Sequence, residues 1–270
     1  MLRTRLITAA VLLTLLLAAL FLLSSRAWAA AALVILFAGG WEWARIAGLR
    51  SVACRAYAVV TGAAGGVLWF LLWQKGAEGA LAARVSLGLL ATSVLFWCLI
   101  APLWLARGWK TRAPVPLAVV GWIVLLPTWL ALAVLRAKSP WLVLGVMALP
   151  WISDSAAYFV GRRFGRHKLA PSISPGKTWE GVAGAFVAVL LYGGVAAACG
   201  LGVWLVPAAL MLGMFGIVGD LFESWMKRLA GLKDSSHLLP GHGGVLDRID
   251  ALTSTLPLAS LLLLYQPLPS

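Results

Sequence analysis

Charged residues are scarce in this chain of 270 residues. They make up 11% of it, against about 25% in an average soluble protein, whereas 62% is hydrophobic and the mean hydropathy is +0.94. A soluble domain of this size could not bury so much apolar surface. The composition therefore excludes an ordinary soluble fold and predicts a protein whose solvent is lipid. The 15 Trp residues fit this prediction, because Trp is typical of membrane interfaces.

Cysteine and nucleotide-binding glycine motifs are also scarce. Cys54, Cys98 and Cys199 lie in or beside apolar runs without the spacing of metal ligands, so we interpret them as packing residues. The stretch Ser174-Pro175-Gly176-Lys177-Thr178 resembles the end of a P-loop but lacks the first Gly of that motif. The chain therefore has neither a cysteine metal site nor a P-loop in its sequence.

Long apolar runs fill most of the chain. Each is long enough, or nearly so, to cross a hydrocarbon core of roughly 30 Å as a helix. The pattern predicts an all-α polytopic membrane protein with eight or nine transmembrane helices. The nine candidate spans are residues 6–23, 27–41, 56–73, 85–106, 114–135, 140–161, 181–198, 201–219 and 251–265. The first also resembles a cleavable signal peptide, and the second is short enough for a re-entrant hairpin.

The distribution of basic residues favours nine spans with a cytoplasmic N-terminus. In that topology only five of the 22 Lys and Arg residues lie outside, namely Arg26, Lys75, Arg84, Arg136 and Lys138. The net charge of +13 has a second interpretation, attraction to anionic lipid or to a polyphosphate, whereas basic residues spread between spans argue against nucleic acid. Residues 1–139 hold spans 1–5, predicted as a scaffold or oligomerisation region. Residues 140–270 hold spans 6–9 and two polar loops, 162–180 and 220–250, which this topology places together on the cytoplasmic side.

The loop 220–250 is the densest polar stretch of the chain. At its start, Asp220, Glu223, Ser224 and Lys227 share one helical face, which predicts an amphipathic helix ending near Gly231. Such a helix is typical of a functional site at the membrane but also of an interfacial helix with a solvated polar face. The two interpretations stay open at this point.

The second part of this loop is typical of a phosphate site. Gly243 and Gly244 allow close backbone approach to a ligand, and the cations Arg228, Lys233 and Arg248 flank them. Asp247 and Asp250 would share a face of the helix that follows. Paired carboxylates without Cys ligands favour Mg²⁺, which takes one or two carboxylates together with substrate phosphates.

The loop 162–180 carries a second basic patch. Five cations lie between Arg162 and Lys177, a pattern typical of phosphate binding and equally of a loop that only sets topology. Asp154 precedes it inside an apolar run. An acid in a transmembrane segment predicts a functional site.

These residues resemble the phosphatidate cytidylyltransferase (CDP-diacylglycerol synthase) family. The family signature runs Ser-x-hydrophobic-Lys-Arg, then Lys-Asp, then Pro-x-His-Gly-Gly-hydrophobic-x-Asp-Arg-hydrophobic-Asp, and residues 224–250 match it without a break. Asp154, Gly161-Arg162, Ile173-Ser174-Pro175, Lys177-Thr178-Trp179-Glu180-Gly181 and Gly219-Asp220 also look like the family. The departures are mild: Ser236 and Ala251 stand where the family commonly has Gly and Ser. The resemblance covers residues 150–255, and residues 1–140 share only the multi-span pattern.

The resemblance implies Mg²⁺-dependent transfer of a cytidylyl group from CTP to phosphatidate, giving CDP-diacylglycerol and diphosphate in phospholipid biosynthesis. It also implies a multi-pass enzyme of the bacterial inner membrane, a homodimer, and leaves open a second cation such as K⁺. The catalytic residues would be Asp220, Asp247, Lys227, Arg228, Lys233 and Asp250. The substrate-binding residues would be Lys177, Ser174, His242, Gly243, Gly244, Arg248 and Ser224, with Arg166 and Lys168 for the lipid headgroup. The metal ligands would be Asp220, Asp247, Asp250 and Glu223.

Three other functions remain to be weighed. A lipid transporter or flippase predicts polar residues scattered at mid-membrane over many spans, and residues 1–140 have almost none. A CDP-alcohol phosphatidyltransferase would carry an Asp-Gly-x-x-Ala-Arg signature, which this sequence lacks. A relative that acts on an isoprenoid ether lipid phosphate stays open, because its chain groove would be lined by ordinary apolar residues.

Overall fold

The protein is an all-α polytopic membrane protein with one small hairpin. The computed structural model describes residues 2–265, with side-chain surroundings for residues 6–263. The helices are α1 (Leu2–Leu22), α2 (Ser25–Ile46), α3 (Ser51–Leu72), α4 (Gly76–Leu95), α5 (Ala101–Arg107), α6 (Pro114–Lys138), α7 (Pro140–Phe164), α8 (Trp179–Ala196), α9 (Leu205–Leu229) and α10 (Leu246–Tyr265). The strands are β1 (Lys168–Ala170) and β2 (Ser174–Thr178). A π-helical turn, Phe96–Ile100, joins α4 to α5, and another, Ala197–Leu201, follows α8.

Seven stretches within the described residues are long and apolar enough to cross a membrane. They correspond to predicted spans 2–8: α2, α3, α4 with α5, α6, α7, α8 with its π turn, and α9. The second is an unbroken helix of 22 residues, so the alternative of a re-entrant hairpin is wrong. The first and last predicted spans correspond to α1 and α10. α1 has a shorter apolar stretch, and α10 begins with Asp247, Arg248 and Asp250.

The helix α6 lies at the centre of the bundle, packed against α2, α4, α7 and α10. Buried tryptophans lock it to α2: the indole of Trp43 donates to the carbonyl of Leu117 at 2.7 Å, and that of Trp129 to the carbonyl of Ala29 at 3.0 Å. A buried indole N–H needs an acceptor, and lipid offers none. These two indoles therefore hold α2 and α6 together, and the prediction that Trp residues form interfacial belts stays a prediction.

The last turn of α6 holds the ends of two other helices. The guanidinium of Arg136 donates to the carbonyls of Leu20 at 2.7 Å and Leu23 at 2.6 Å, where α1 ends. The ammonium of Lys138 donates to the carbonyl of Leu263 in α10 at 2.5 Å. The last carbonyls of a helix have no partner within the helix, so these cations satisfy groups that would otherwise be bare.

The chain between α7 and α8 forms an antiparallel hairpin, which the sequence analysis did not predict. In it Lys168 pairs with Thr178, and Ala170 pairs with Ser174. Glu180 in the first turn of α8 fastens it, accepting from the backbone N–H of Arg166 at 3.1 Å and contacting the His167 ring at 2.7 Å. The hairpin therefore presents its basic residues at one end of the α7–α8 pair.

The helix α9 runs straight through Gly219 into the polar stretch. Phe222 packs edge-on against Phe96, Trp97 and Trp104, with ring centroids 5.3–5.7 Å apart. Because one face of α9 is fixed against aromatic rings, its polar face is directed towards the hairpin and α10. The helix ends at Leu229 with Ala230 as its C-cap, and Gly231 follows with φ of +72°.

Candidate active site

A cleft of about 550 Å³ opens where α7, the hairpin, α8 and α9 meet. Its polar lining includes Asp154, Arg162, Lys168, Ser174, Lys177 and Asp220. The cleft thus brings together residues from both predicted polar loops and the acid inside α7. The two loops also touch directly, since the Arg228 guanidinium donates to the carbonyl of Ile173 at 3.3 Å.

A partly open ion pair stands in this cleft. The ammonium of Lys177 donates to the carboxylate of Asp220, whose other oxygen accepts from the Ser224 hydroxyl at 3.3 Å. The Lys177 and Asp220 side chains keep 26% and 21% of their exposure. Asp220 also lies within electrostatic range of Asp154 and Asp250. A ligand that enters the cleft can therefore reach both members of the pair.

A second ion pair, formed by Lys227 with Asp247, is buried. The ammonium of Lys227 contacts Asp247 at 2.6 Å and Glu223 at 3.2 Å, and the side chains of these three residues are between 4% and 9% exposed. The helix α9 is thus buried at Glu223 and Lys227 of its polar face as well as at Phe222 on the opposite face. The interpretation of residues 220–232 as an interfacial helix with a solvated face is therefore wrong.

The remaining oxygen of Asp247 closes the glycine-rich loop. It accepts from the N–H of Gly244 at 2.8 Å and from both the N–H and the hydroxyl of Ser235 at 2.9 Å. Since the other oxygen faces Lys227, the carboxylate of Asp247 is fully engaged within the protein. In this arrangement Asp247 orders the loop and holds Lys227 in place.

A buried acid from the N-terminal half of the chain, Glu42, accepts hydrogen bonds from the same loop. Glu42 in α2 is fully buried and accepts from the hydroxyls of Ser235 at 3.0 Å and Ser236 at 2.5 Å. It also accepts from the N–H groups of Val245 at 2.9 Å and Leu246 at 2.7 Å, where α10 begins. Arg45, one turn further along α2, donates to the carbonyl of Ser235 at 3.2 Å.

Two glycines make room for these contacts. A Cβ atom on Gly244 would lie 2.0 Å from the Ser235 hydroxyl and 2.4 Å from Glu42. Gly243 has φ of +80°, and a Cβ there would lie 2.6 Å from Asp247. The Gly-Gly pair that predicts a phosphate loop therefore also has a packing role, because it admits two carboxylates to the backbone.

The remaining predicted cations and His242 lie at the surface, and Lys168 is the one among them that lines the cleft within the described residues. Arg166, Lys168, Arg228, Lys233 and Arg248 are exposed, and His242 is half-buried. None of these cations is in an ion pair within the described part of the chain. Cations without an internal partner remain able to contact an anionic ligand.

The oxygen ligands around the cleft are too few for an ion that is bound by protein groups alone, but they are sufficient for Mg²⁺. Among the described residues, no group of three or more acids, His or Cys is arranged to hold a metal. Mg²⁺ does not need one, because it keeps several waters and takes one or two carboxylates plus substrate phosphates. Asp220, with Asp250 and Asp154 in electrostatic range, offers such carboxylates at the cleft.

Sequence reasoning missed Glu42, Ser235 and Ser236 and left Asp154 without a role. The signal for Glu42 was present, since it is an acid inside a long apolar run, flanked by Trp41 and Trp43. The same argument was applied only to Asp154. Residues 1–139, predicted as a scaffold or oligomerisation region, thus also contact the polar loop 220–250 through Glu42.

Comparison with known proteins shows the family of the chain. The sequence profile of the Cytidylyltransferase family matches residues 3–266. A phosphatidate cytidylyltransferase of Pseudomonas aeruginosa is 40% identical over 97% of this chain and 97% of its own length. Those of Haemophilus influenzae and Brucella suis are 34% and 36% identical, covering 96% and 98% of this chain and 98% and 93% of their own lengths.

The chain belongs to the cytidylyltransferase family. It is a multi-pass membrane enzyme of the nucleotidyltransferase class. Membership of this family sets aside the transporter alternative, and it extends the resemblance from residues 150–255 to almost the whole chain.

Proposed function

We propose that this chain transfers the cytidylyl group of CTP to phosphatidate, giving CDP-diacylglycerol and diphosphate. Three full-length relatives carry the name of that activity, and residues 224–250 match its signature. The observation that carries the proposal is the cleft in which Lys177 and Asp220 form a partly exposed pair. It combines a carboxylate for a metal with cations for phosphate at the end of a membrane-spanning bundle.

In the proposed reaction a phosphate oxygen of phosphatidate forms a bond to the α-phosphorus of CTP. The bond between that phosphorus and the bridging oxygen breaks, and diphosphate leaves with the electron pair. A phosphomonoester is already anionic near neutral pH, so the transfer needs positioning and charge neutralisation more than a strong base. Lys177 and the unpaired cations of the hairpin, Arg166 and Lys168, are placed for that task.

Bound Mg²⁺ would supply further neutralisation of the triphosphate charge. We assign its direct contacts to Asp220 and Asp250, with Asp154 beside them. Asp247 and Glu223, both engaged by Lys227, would act through that lysine. Lys227 in turn would hold the loop at the edge of the cleft. A second cation such as K⁺ stays part of the proposal, because Asp154 and Asp220 both line the cleft and Asp250 lies within electrostatic range.

For the remaining groups the proposal follows the chemistry of the site. Arg228, Lys233 and Arg248 would contact the triphosphate, and His242, Gly243 and Gly244 would line the CTP pocket. Arg166 and Lys168 would contact the headgroup of phosphatidate, with Ser174 at the cleft wall and Ser224 beside Asp220. The exposed position of these cations supports the roles given to them.

The topology completes the proposal. Nine spans, with α1 and α10 included and the N-terminus cytoplasmic, would place the site at the cytoplasmic face of the inner membrane, where CTP is available. Residues 1–139 would serve as scaffold and oligomerisation region of a homodimer, and residues 140–270 as catalytic region. Thiol labelling of single-cysteine variants at Ser172 and Lys75, on opposite sides in this topology, tests it.

The test of function is an assay of the purified protein in detergent with phosphatidate, Mg²⁺ and radiolabelled CTP. We expect label in the lipid phase only when phosphatidate and Mg²⁺ are both present. Replacement of Glu78, an exposed acid of α4, by Gln is the matched control and should leave the rate unchanged. No transfer to phosphatidate, together with transfer to an isoprenoid ether lipid phosphate, would contradict the proposed substrate.

A further inference from the structure

Glu42 is a buried acid whose four hydrogen-bond donors all come from one distant loop. Ser235, Ser236, Val245 and Leu246 donate to it at 2.5–3.0 Å, and they lie about 200 residues further along the chain. Burying an ionisable group costs free energy unless its hydrogen bonds are made. The contacts satisfy Glu42, but an apolar residue at this point of α2 would need no contacts at all.

The bonds of Glu42 continue into the residues assigned to catalysis. The Ser235 hydroxyl stands between two carboxylates, 3.0 Å from Glu42 and 2.9 Å from Asp247. A hydroxyl has one proton, so it donates to one of them at a time. Asp247 then contacts Lys227 at 2.6 Å. A continuous chain of polar contacts thus runs from α2 through the loop to the buried lysine of α9.

The other contacts of α2 point to the same loop. Val245 and Leu246 supply N–H groups at the start of α10, which lack partners within the helix. Glu42 takes the place of a capping residue there, and Arg45 holds the carbonyl of Ser235 from the same helix. Both ends of the segment 235–246 are therefore fixed by α2, which lies outside the signature.

We infer that Glu42 is a positioning residue for cytidylyl transfer, holding the segment 235–246 so that Asp247 and Lys227 keep their places beside the cleft. The inference rests on the proposed function for its kinetic part. Groups that orient a site without touching the substrate commonly change the rate by about 10- to 100-fold when they are replaced.

The geometry of these hydrogen bonds indicates which replacements of Glu42 can test the inference. In Glu42→Gln one oxygen becomes an NH₂ group, which must face the N–H of Val245 or Leu246 at less than 3 Å. Serine hydroxyls can reverse their direction, but backbone N–H groups cannot. Glu42→Asp keeps both acceptor oxygens on a shorter arm. We therefore expect the Gln variant to be more damaging than the Asp variant, although Gln matches Glu in size.

The experiment combines kinetics with hydrogen exchange on the full-length protein in detergent. For Glu42→Gln we expect kcat to fall about 10- to 100-fold while KM for phosphatidate stays within about twofold, because the headgroup cations lie on the hairpin. Amide exchange should accelerate in peptides covering 235–246 and stay unchanged in α3 and α8. Glu42→Asp should recover part of kcat, and Ser235→Ala should fall between them.

Two controls separate positioning from general stability. Glu78→Gln removes an exposed acid and should change neither kcat nor exchange. Thr61→Val removes the buried acceptor of the Trp122 indole, at 2.9 Å, and should lower Tm without lowering kcat. A Glu42→Gln variant that behaves like Thr61→Val, with a lower Tm, exchange raised over all helices and normal kcat, would overturn the inference.

Wild-type kcat together with unchanged exchange in Glu42→Gln would overturn it as well. The exchange measurement needs no substrate. If the wild type fails to transfer label from CTP, the proposed function is wrong, and exchange in the loop still decides whether Glu42 holds it.

Discussion

The Lys177–Asp220 pair lines an open cleft, whereas the Lys227–Asp247 pair is sealed inside the bundle. The first keeps about a quarter of its side-chain exposure, and the second keeps less than a tenth. Among the described residues, one oxygen of Asp220 accepts only from the Ser224 hydroxyl at 3.3 Å, but both oxygens of Asp247 accept hydrogen bonds at 2.6–2.9 Å. The same two residue types therefore have different surroundings: one pair is open to a ligand in the cleft, and the other holds the glycine-rich loop.

The two ion pairs should also differ in their contributions to folding stability and to catalysis. A partly exposed ion pair contributes about 0–1 kcal/mol to stability, whereas removing one partner of a buried pair costs about 3–5 kcal/mol. Loss of the open pair should thus reduce catalysis with little effect on folding. Loss of the buried pair should reduce both.

The largest expected effect is that of Asp220→Asn. Because this change removes the carboxylate that we assign to the metal, kcat should fall by about 10³-fold, while Tm stays within about 2 °C of the wild type. Radiolabel transfer and thermal unfolding in detergent measure the two. Residual activity that rises steeply with Mg²⁺ concentration would support the metal assignment, and near wild-type turnover would contradict it.

Next come Lys227→Met and its matched control, Lys177→Met. The first leaves Glu223 and Asp247 buried without a cation and should lower the free energy of unfolding by about 3–5 kcal/mol. The second should lower activity strongly and stability by less than about 1 kcal/mol. Equal destabilisation by the two variants would remove the distinction between the open and the buried pair.

A smaller effect is expected of Gly244→Ala. The new methyl group would lie 2.0 Å from the Ser235 hydroxyl, so the loop must shift, at a cost of about 1–3 kcal/mol. Gly176, in the exposed hairpin, has nothing within 4 Å of an added Cβ, and Gly176→Ala should leave Tm unchanged. If the two variants had the same Tm, the close packing of the loop around Glu42 would be disproved.

The smallest effect is expected from the contacts by which Glu180 holds the hairpin. Glu180→Gln weakens the contacts with Arg166 and His167, which are exposed to solvent. We expect KM for phosphatidate to rise by at most about fivefold, with kcat and Tm unchanged. A larger change in KM for CTP than for phosphatidate would place the hairpin against the nucleotide instead of the lipid.

The sequence was sufficient for most of the fold because apolar runs in a membrane have one stable solution, the helix. Seven predicted spans are found in the structure, and the contacts between the two polar loops confirm that these loops meet. The hairpin was missed because its strands are three and five residues long and carry no alternating pattern. The contacts of Trp43 and Trp129 between α2 and α6 could not be predicted, because composition does not show which indoles lie between two helices.

The candidate site was predicted less completely than the fold. Residues close in sequence, such as Asp247 and Asp250, could be grouped by helical spacing. Glu42 could not be joined to Ser235, because no local pattern links residues so far apart. Nor did the sequence distinguish Asp220 from Asp247, since the difference between them lies in burial and in the number of donors around each.

The contacts of Arg136 and Lys138 in α6 with the ends of α1 and α10 have a consequence for the synthesis of the protein. Arg136 follows Leu20 by 116 residues, and a ribosome working at about 5–20 residues per second takes roughly 6–23 s to cover that interval. For that time the last carbonyls of α1 must be satisfied by water or lipid headgroups. The helices α1 and α2 therefore reach their final position in the membrane only after α6 has been synthesised.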